Sequence, residues 1–488
     1  MTLIARGQRN PLHLRRLPGG ADPLAAFAPF AEEPGAVLLH SAEPHPRFGR
    51  HAIWAIRPVA VLESHGSTTT IRRGGRAERR DGNPFDVLAA FLAEHRQAAA
   101  DLPVPFAGGL IGYLGYDLGR WVERVPERAR KDDGFPDLWL GMYDAAICAD
   151  QVAGEAFVTG REGMDSREGL DGRMGALAEA YWGAAGAETR EIAERCAEIA
   201  AGGGVTSNFT REGFLAAVRR AKAWIAAGDL YQVNLSQRFE AVPAGSPYAL
   251  FRRLCAASPA PFASYLSLGG GRAVAGASPE RFLRLDGRQV ETRPIKGTRR
   301  RGATPEEDAR LRAELEASEK DRAELVMIVD LERNDLGRVC ATGSVEVTEA
   351  RTIETYAQVH HGVATVRGTL AAGAGPVELL RAAFPGGSIT GAPKVRAMEA
   401  IEDLEPTRRS VYTGAIGWIG LDGQMDLSIA IRTVLTERGR VTFQTGGGIV
   451  ADSDPEAEYE ETLVKAEGMM KAVGGREGGD DGRVRERI

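Results

Sequence analysis

The chain has 488 residues, of which 43% are hydrophobic and 26% charged, a composition typical of a globular protein with a sizeable core. Its net charge of −6 gives no reason to expect nucleic acid or an anionic membrane as a partner. No run of about 18 apolar residues is present, so we expect no membrane-spanning helix. The four cysteines lie far apart and form no CxxC pair, which argues against a disulfide framework and favours a cytoplasmic location.

In chain order, residues 1–160 predict an N-terminal domain, with buried strands in AVLLHS (36–41) and AGGLIGYLGY (107–116). Residues 161–205 are rich in Ala, Glu, Gly and Arg and predict a helical connector. Strand and helix patterns then continue without a linker, so we treat 206–472 as a second domain. The tail, 473–488, offers almost nothing to bury and predicts disorder.

The second domain opens with a helix that Thr210 can N-cap. The segment that follows, LYQVNLSQRF (230–239), alternates with period two. One face carries apolar side chains, and the other carries the polar ones: Tyr231, Val233, Leu235 and Phe239 against Gln232, Asn234 and Ser236. The polar face is typical either of a pocket wall or of an edge strand facing water, and the pattern alone does not choose between them.

Two later helices each carry a pair of carboxylates on one face. Asp321 and Glu324 are three residues apart, and Glu458 and Glu461 repeat that spacing. The second helix has Asp454 as its N-cap and the following proline as its first residue. Such pairs can line a Mg²⁺ site, or they can be solvated helix surface. The spacing does not show whether the two pairs meet.

Lys296 lies in the turn PIKGT (294–298), where burial could lower its pKa enough to make it a nucleophile, although most loop lysines are simply solvated. Two glycine-rich segments, FPGGSITGAPK (384–394) and TGGGIV (445–450), would let backbone N–H groups approach an anion, or would form tight turns. His360 and His361 form an adjacent pair, which is more often structural than catalytic.

Taken together, these segments resemble the chorismate-utilising enzymes, a family that includes anthranilate, aminodeoxychorismate, isochorismate and salicylate synthases. The resemblance covers residues 206–472 through DLYQVNLSQRF, SPERFL, PIKGTRRRG, AELVMIVDLERNDLGRV, FPGGSITGAPK, AIRT and DPEAEYEETLVKA. In the first domain, LLHS (38–41) and GGLIGYLGYD (108–117) resemble the aminating members. The resemblance implies an α+β fold with a large two-layer β core wrapped by helices, as in anthranilate synthase component I.

The resemblance also assigns expected roles to residues of this sequence. It implies one Mg²⁺, which grips the ring carboxylate of chorismate at Asp321, Glu324, Glu458 and Glu461, with Asp321 short enough to act through water. Gly297 and Thr298 would help to hold the ring carboxylate. Glu280 would protonate the departing 4-hydroxyl, and His361 rather than His360 matches the family histidine. The pyruvyl carboxylate would be held by Tyr412, Arg432, Gly446 and Lys465.

Two positions favour one reaction within the family. Gln232 stands where isochorismate and salicylate synthases use a lysine to activate water, and glutamine is not a base near neutral pH. Lys296 stands where anthranilate synthases read PIAGT, and PIKGT resembles the aminodeoxychorismate synthases. We therefore expect amination of chorismate to 4-amino-4-deoxychorismate through a covalent lysine intermediate, a step toward para-aminobenzoate and folate.

No glutaminase signature such as GxCxG is present, so we expect the ammonia to come from solution or from a separate glutamine amidotransferase subunit. No lyase domain follows residue 472, so we expect the reaction to stop at the aminated product. The alternatives are anthranilate synthase component I and a non-catalytic sensor of chorismate or tryptophan. The sensor is disfavoured because it would not need Glu280, Lys296 and both acidic pairs.

Overall fold

The computed structural model describes residues 2–5, 11–184, 204–474 and 485–486. Two large, mostly antiparallel sheets form the centre of the described chain, and helices cover their outer surfaces. The prediction of an α+β fold with a two-layer β core wrapped by helices is confirmed.

The first sheet contains 14 strands in the described residues. In spatial order they are β1 (Thr2–Ala5), β2 (Leu12–Leu17), β11 (Glu155–Arg161), β10 (Ala145–Asp150), β4 (His51–Ala55), β3 (Val37–His40), β14 (Phe262–Gly269), β15 (Arg272–Ser278), β24 (Thr433–Glu437), β25 (Arg440–Ile449), β13 (Gln232–Ala241), β12 (Thr206–Ser207) and β26 (Arg485–Glu486), with β21 (Gly391–Ala392) beside the start of β13.

The second sheet contains 12 strands in the same parts of the chain. In spatial order they are β18 (Ile295–Arg300), β20 (Val359–Thr369), β17 (Gln289–Thr292), β16 (Arg281–Asp286), β23 (Met425–Ile429), β22 (Ala415–Gly420), β8 (Gly109–Leu114), β9 (Leu138–Tyr143), β5 (Ala60–His65), β6 (Thr68–Arg73) and β7 (Arg76–Asp81), with β19 (Glu346–Thr355) paired to β20.

Ten α-helices are described. They are α1 (Pro23–Phe27), α2 (Pro84–Glu94), α3 (Arg167–Ala184), α4 (Arg211–Ala226), α5 (Pro247–Ala257), α6 (Pro305–Ala317), α7 (Glu319–Gly337), α8 (Pro376–Ala383), α9 (Lys394–Leu404) and α10 (Pro455–Val473), with 3₁₀ turns at Ala28–Phe30, Tyr116–Trp121 and Gly387–Ile389. None of these helices is both long and apolar enough to cross a membrane.

The predicted helix starts are confirmed by their caps. The Thr210 hydroxyl accepts a hydrogen bond from the Gly213 N–H at 3.0 Å at the start of α4. The Asp454 carboxylate accepts one from the Ala457 N–H at 3.0 Å at the start of α10. Each cap satisfies an N–H group that the first helical turn leaves without a partner.

Apolar side chains from both sheets interlock between the layers. Leu266 and Val274 from the first sheet pack in one cluster with Ile111 and Ile416 from the second, and all four are almost fully buried. Each layer also packs its outer face against helices. Burial of apolar surface on both faces of both sheets is the main contribution to stability in such an architecture.

Strands from the predicted first and second domains form two contiguous blocks in each sheet, and the blocks meet at a single strand pair. In the first sheet β3 pairs with β14, and in the second sheet β8 pairs with β22. The domain limits at 160, 206 and 472 remain predictions. Helix α3 lies within the predicted connector, whose residues 185–203 are outside the described chain, as are 475–484 and 487–488 of the predicted disordered tail.

The strand predicted at 230–239 begins two residues later than its alternating pattern indicates. Tyr231 precedes β13 and is 72% exposed, so its side chain does not join the buried face of Val233. Its backbone N–H donates to the Ala392 carbonyl at 2.8 Å, which fixes the entry to the strand. From Gln232 onward the polar face is buried, because β13 lies between β25 and β12 rather than at a free edge.

Candidate active site

A cavity of about 520 Å³ opens where the ends of the two sheets approach each other. Its walls come from β13 and β25 of the first sheet and from β18 and β20 of the second. Helices α7 and α10 lie across it and point their acidic faces inward. The cavity is therefore assembled from elements that are more than 200 residues apart in sequence.

The cavity collects nearly all the residues that the sequence singled out. Gln232 is fully buried beside it, and the others line it: Glu280, Lys296, Gly297, Thr298, Asp321, Glu324, His361, Tyr412, Arg432, Gly446, Glu458, Glu461 and Lys465. The two acidic pairs thus face one space, which the spacing alone did not show. His360 points away, with Nε2 2.9 Å from Asp308 Oδ1 and Nδ1 2.9 Å from Thr355 Oγ1.

Lys296 and Glu280 are two cavity residues whose pKa values are shifted in opposite directions by burial. Burial lowers the pKa of Lys296, and Lys465 adds to this effect, while Glu324, Glu280 and Glu461 oppose it. Burial raises the pKa of Glu280 to about 7, against hydrogen bonds from Ser388 and from the Ile295 backbone. A lysine that loses its proton more easily than usual thus lies near a carboxylic acid that keeps its own.

Gln232 lies under the glycine-rich strand β25. A side-chain carbon placed on Gly448 would come within 2.4 Å of Gln232 Nε2 and within 3.5 Å of Lys296 Nζ. The amide of Gln232 and the amine of Lys296 therefore approach the same glycine, and a side chain there would displace the Gln232 amide from its position. Neither Gln232 Oε1 nor Nε2 has a hydrogen-bond partner in the described residues. Buried amides without partners are rare and indicate a place for a ligand.

His361 presents one ring nitrogen to the cavity. Its Nδ1 lies 2.9 Å from Thr298 Oγ1, whereas Nε2 is buried and has no partner among the described residues. Burial, together with the neighbouring Arg432 charge, lowers the pKa of His361 to about 3. The ring is therefore neutral at physiological pH, and Nε2 can donate or accept a hydrogen bond according to its tautomer.

The four carboxylates influence one another across the cavity. Burial raises the pKa of Glu324, and the charges of Asp321 on the same helix and Glu461 on α10 add to it, against Lys296 and Lys320. Burial also raises the pKa of Glu458, to which Ser453 Oγ donates at 2.6 Å. For Glu461, burial acts in the same direction, but Lys465 outweighs it and lowers the pKa.

This donor set fits a hard cation that keeps part of its hydration shell. In the described residues, no three Asp, Glu, His or Cys side chains are close enough to hold a metal by themselves. Mg²⁺ is commonly held by one or two carboxylates together with water and an anionic substrate. Two acidic pairs that face each other across a cavity provide such carboxylates and leave space for the water and the substrate. The acids that would hold it are Asp321, Glu324, Glu458 and Glu461.

Cationic groups occupy another part of the wall. Lys465 Nζ donates to the Gly446 carbonyl at 2.9 Å and lies 2.6 Å from Glu461. Arg432 contacts the Ser258 hydroxyl at 3.4 Å and has no carboxylate partner in the described part of the chain. Arg432 adopts a φ of 49°, in the left-handed region that side chains seldom occupy. A guanidinium without a carboxylate can bind one from a ligand.

Arg409 supports this wall from behind. It is almost fully buried, pairs with Glu405 and donates to the Asn234 carbonyl at 2.8 Å. Its guanidinium lies over the ring of Tyr412, 5.8 Å from the centroid. One buried cation thus connects β13 to the Tyr412 turn. Burial raises the pKa of Tyr412, so its hydroxyl remains a hydrogen-bond donor.

Sequence analysis missed several residues of this site. Ser388 hydrogen-bonds to Glu280, and Arg299 and Lys320 line the cavity. Ser388 lies in the segment FPGGSITGAPK, whose glycines predicted either an approach of backbone N–H groups to an anion or tight turns, and gave no role to the serine. Lys320 directly precedes Asp321, and Arg299 belongs to PIKGTRRRG. The sequence feature that could have identified both as site residues is therefore their position next to motif residues.

Comparison with known proteins agrees with this geometry. The family model for a chorismate binding enzyme matches residues 36–471. The chain is 42% identical over 449 residues to aminodeoxychorismate synthase component 1 of Klebsiella aerogenes, covering 91% of this chain and 95% of the relative. It is also 42% identical over 433 residues to anthranilate synthase component 1 of Cereibacter sphaeroides, covering 87% and 86%.

A solved structure shares the fold. Anthranilate synthase component I from Streptococcus pneumoniae matches with a TM-score of 0.73 and 31% identity, over 86% of this chain and 92% of that one. Relatives with two different reactions are thus equally similar, and overall similarity does not choose between them. What all these matches share is the enzyme family, and the chain belongs to the chorismate binding enzymes.

Proposed function

We propose that this chorismate-utilising enzyme aminates chorismate with ammonia and forms 4-amino-4-deoxychorismate. The observation that carries the proposal is the pair formed by Lys296 and Glu280 in one cavity. The first has a lowered pKa because it is buried, and the second has a pKa raised to about 7 for the same reason. A buried lysine beside a protonated acid is suited to covalent catalysis.

In the first step the neutral amine of Lys296 attacks C2 of the ring. Both ring double bonds shift by one position, and the 4-hydroxyl leaves as water with the proton of Glu280. The attached nitrogen, now positively charged, returns a proton to the Glu280 carboxylate. This step forms one C–N bond, breaks one C–O bond and restores the acid.

In the second step ammonia attacks C4, the double bonds shift back, and the C2–nitrogen bond to Lys296 breaks. A proton from the new ammonium group restores the lysine amine. The sum is chorismate plus ammonia giving 4-amino-4-deoxychorismate plus water. Two displacements place the nitrogen at C4, whereas a direct attack on C2 leads toward anthranilate.

The other wall residues hold the substrate in place. The pyruvyl carboxylate is held by the positive charges of Arg432 and Lys465. The Gly446 backbone offers it an N–H group, and Tyr412 offers it a hydroxyl. Gly297 and Thr298 hold the ring carboxylate, and His361 completes this side of the cavity through Nε2. Magnesium, when bound by the four acids, supplies the charge that holds and polarises that carboxylate.

Anthranilate synthase component 1 is the second candidate, because a relative with that name is as similar as the aminodeoxychorismate synthases. The product decides between the two reactions. We expect the purified chain with chorismate, ammonium and Mg²⁺ to form 4-amino-4-deoxychorismate, identified by mass spectrometry. Wild-type protein that forms mainly anthranilate, which is fluorescent, would contradict the proposal.

Two variants of Lys296 sharpen this experiment. Lys296→Ala restores the PIAGT motif, and we expect it to lose most 4-amino-4-deoxychorismate formation and to release anthranilate or its precursor. Lys296→Arg keeps a positive charge without a usable nucleophile and is expected to lose the same product. An unchanged product and rate in Lys296→Ala would eliminate the covalent step and place anthranilate synthase first.

A separate glutamine amidotransferase is the proposed source of ammonia in the cell. The relatives carry the name component 1, which supports a second component. We expect the purified chain to use ammonium salts and to be inactive with glutamine. Glutamine-dependent turnover by the chain alone would refute this part of the proposal.

A further inference from the structure

Arg299 directly follows Thr298 in β18 and connects three elements at the edge of the cavity. Its Nε donates to Glu314 Oε1 on α6 at 3.0 Å, and its Nη1 donates to the Thr298 carbonyl at 3.0 Å. Its Nη2 lies 3.2 Å from Asp321 Oδ2 on α7. The side chain is only 27% exposed, so both ion pairs are partly shielded from water.

Asp321 is one of the four acids that face the cavity. Its side chain packs against Gly297 so closely that a side-chain carbon there would come within 2.9 Å of it. In the described chain, the ion-pair partner of Asp321 is Arg299, which approaches Oδ2. This oxygen is buried and accepts no hydrogen bond from the described residues, so the guanidinium stands beside an oxygen that could otherwise bind a cation.

A guanidinium and a divalent cation cannot both approach one carboxylate oxygen without strong repulsion between them. Asp321 is not the only carboxylate that balances the charge of Arg299, however, because Glu314 also forms an ion pair with it. Release of Asp321 therefore leaves Arg299 with a carboxylate partner. The arrangement lets one positive charge replace another at Asp321 at small cost.

We propose that Arg299 is a displaceable counter-ion of the metal site. It neutralises Asp321 in the cation-free protein, and it yields Asp321 to the divalent cation while it stays paired with Glu314. This inference rests on the metal site of the proposed function. It follows that Arg299 weakens cation binding and reduces repulsion among the four carboxylates when no cation is bound.

The test measures cation binding directly and needs no turnover. Mn²⁺ alone is titrated into the full chain, and free Mn²⁺ is followed by electron paramagnetic resonance. Arg299→Met removes the guanidinium and keeps an unbranched apolar stem, and we expect its Kd for Mn²⁺ to be roughly fivefold lower than that of wild type, the range of a partly exposed ion pair. Arg299→Lys, which keeps the charge but lacks the fork, is expected to fall between the two and serves if Arg299→Met does not fold.

Arg300 provides a matched control, because it is the next residue, carries the same charge and pairs with Glu307 instead. Arg300→Met should leave the Kd within about twofold of wild type. The effect of Arg299→Met should also vanish in an Asp321→Asn background, because the two residues act as a pair.

The outcomes separate this inference from the proposed function. Wild-type protein that binds no Mn²⁺ would refute the metal site itself, and this inference with it. Mn²⁺ binding that Arg299→Met leaves unchanged or weakens would overturn the inference alone. Equal tightening in Arg300→Met, or tightening that persists beside Asp321→Asn, would show a general effect of surface charge and would also overturn it.

Discussion

Thr298 Oγ1 and His361 Nδ1 lie 2.9 Å apart and join β18 to β20 at the cavity, where the two residues are also direct partners in the sheet register. Because this contact occupies Nδ1, the nitrogen left for a substrate is Nε2. The strand that carries Lys296 therefore also orients the histidine. The segment PIKGT, predicted as a turn, lies from Ile295 onward in β18, where it contributes both the proposed nucleophile and an orienting hydroxyl.

The first prediction concerns the pH dependence of stability at His361. Its pKa is lowered from 6.5 to about 3, first by burial, so the unfolded chain binds a proton that the folded chain excludes. The stability that neutral His361 contributes is complete above pH 6.5 and is lost as the pH falls toward 3. Between pH 6.5 and 4.5, we expect the free energy of unfolding of His361→Gln to fall less than that of wild type. The two decreases, measured by urea denaturation, should differ by up to roughly 2 kcal/mol.

His65, which is largely exposed, provides the control. His65→Gln should follow the wild-type pH dependence. Parallel curves for wild type and His361→Gln would show that the folded protein does not exclude the proton from His361.

The second prediction concerns Glu280 as the acid. Burial raises its pKa to about 7, so we expect kcat/KM to fall as the pH rises through 7 and the proton is lost. Glu280→Gln cannot donate a proton and should be slower by roughly 10²- to 10⁴-fold. A rate that stays constant from pH 6 to 9 would argue against this role.

The same shift predicts a change in stability. A raised folded pKa means that the contribution of Glu280 to stability is complete below about pH 4.5 and is lost as the pH rises through 7. Glu280→Gln should therefore be more stable than wild type at pH 8.5, by up to roughly 3 kcal/mol. Chemical denaturation at pH 5 and pH 8.5 measures the difference, which should appear mainly at the higher pH.

The third prediction concerns the metal. Glu324→Gln and Glu461→Gln each remove a charge from the cavity, and we expect turnover to disappear while the fold survives. Glu460 is exposed on α10 next to Glu461, so Glu460→Gln is the control and should behave as wild type. Chelation of divalent ions should stop the wild-type reaction. Full activity of either cavity variant at low Mg²⁺ would refute its assignment.

The fourth prediction contrasts two glycines of β25. A side-chain carbon on Gly446 would lie 2.5 Å from the Leu235 backbone oxygen, which cannot move without disturbing the sheet. A carbon on Gly448 would instead press on the end of the Gln232 side chain, which can rotate. We expect Gly446→Ala to lower the melting temperature by several degrees and Gly448→Ala to retain it but lose activity. Equal stability of the two variants would contradict this difference.

Local patterns in the sequence predict the parts of this site that lie within single elements. The i, i+3 spacing places Asp321 beside Glu324, and the cap at Asp454 fixes the start of the helix that carries Glu458 and Glu461. The pairing of elements is different. β13 meets β25 with Val233 opposite Ile449, and no local pattern encodes a partner more than 200 residues away. The family resemblance predicted which distant residues share the site, but only for the residues that it named.

Residues that act through a neighbour are the ones that sequence reasoning missed. Ser388 matters because a 3₁₀ turn brings it to Glu280, and Arg299 matters because α6 and α7 place carboxylates on both sides of it. Tyr231 is an error of the opposite kind, because the alternating pattern placed it on the apolar face of the strand although its side chain is exposed. A neighbouring segment determines where β13 begins, and alternation cannot show this.

The strand order of the first sheet determines when the nascent chain can fold. β24 and β25 lie between β15 and β13 in the sheet, although they follow both of those strands in the chain by more than 150 residues. Until the ribosome has released that segment, β13 and β15 have unpaired edges and apolar faces, which are prone to aggregate. The cavity therefore cannot form until β25, which provides part of its wall, has been synthesised, however early its other strands are made.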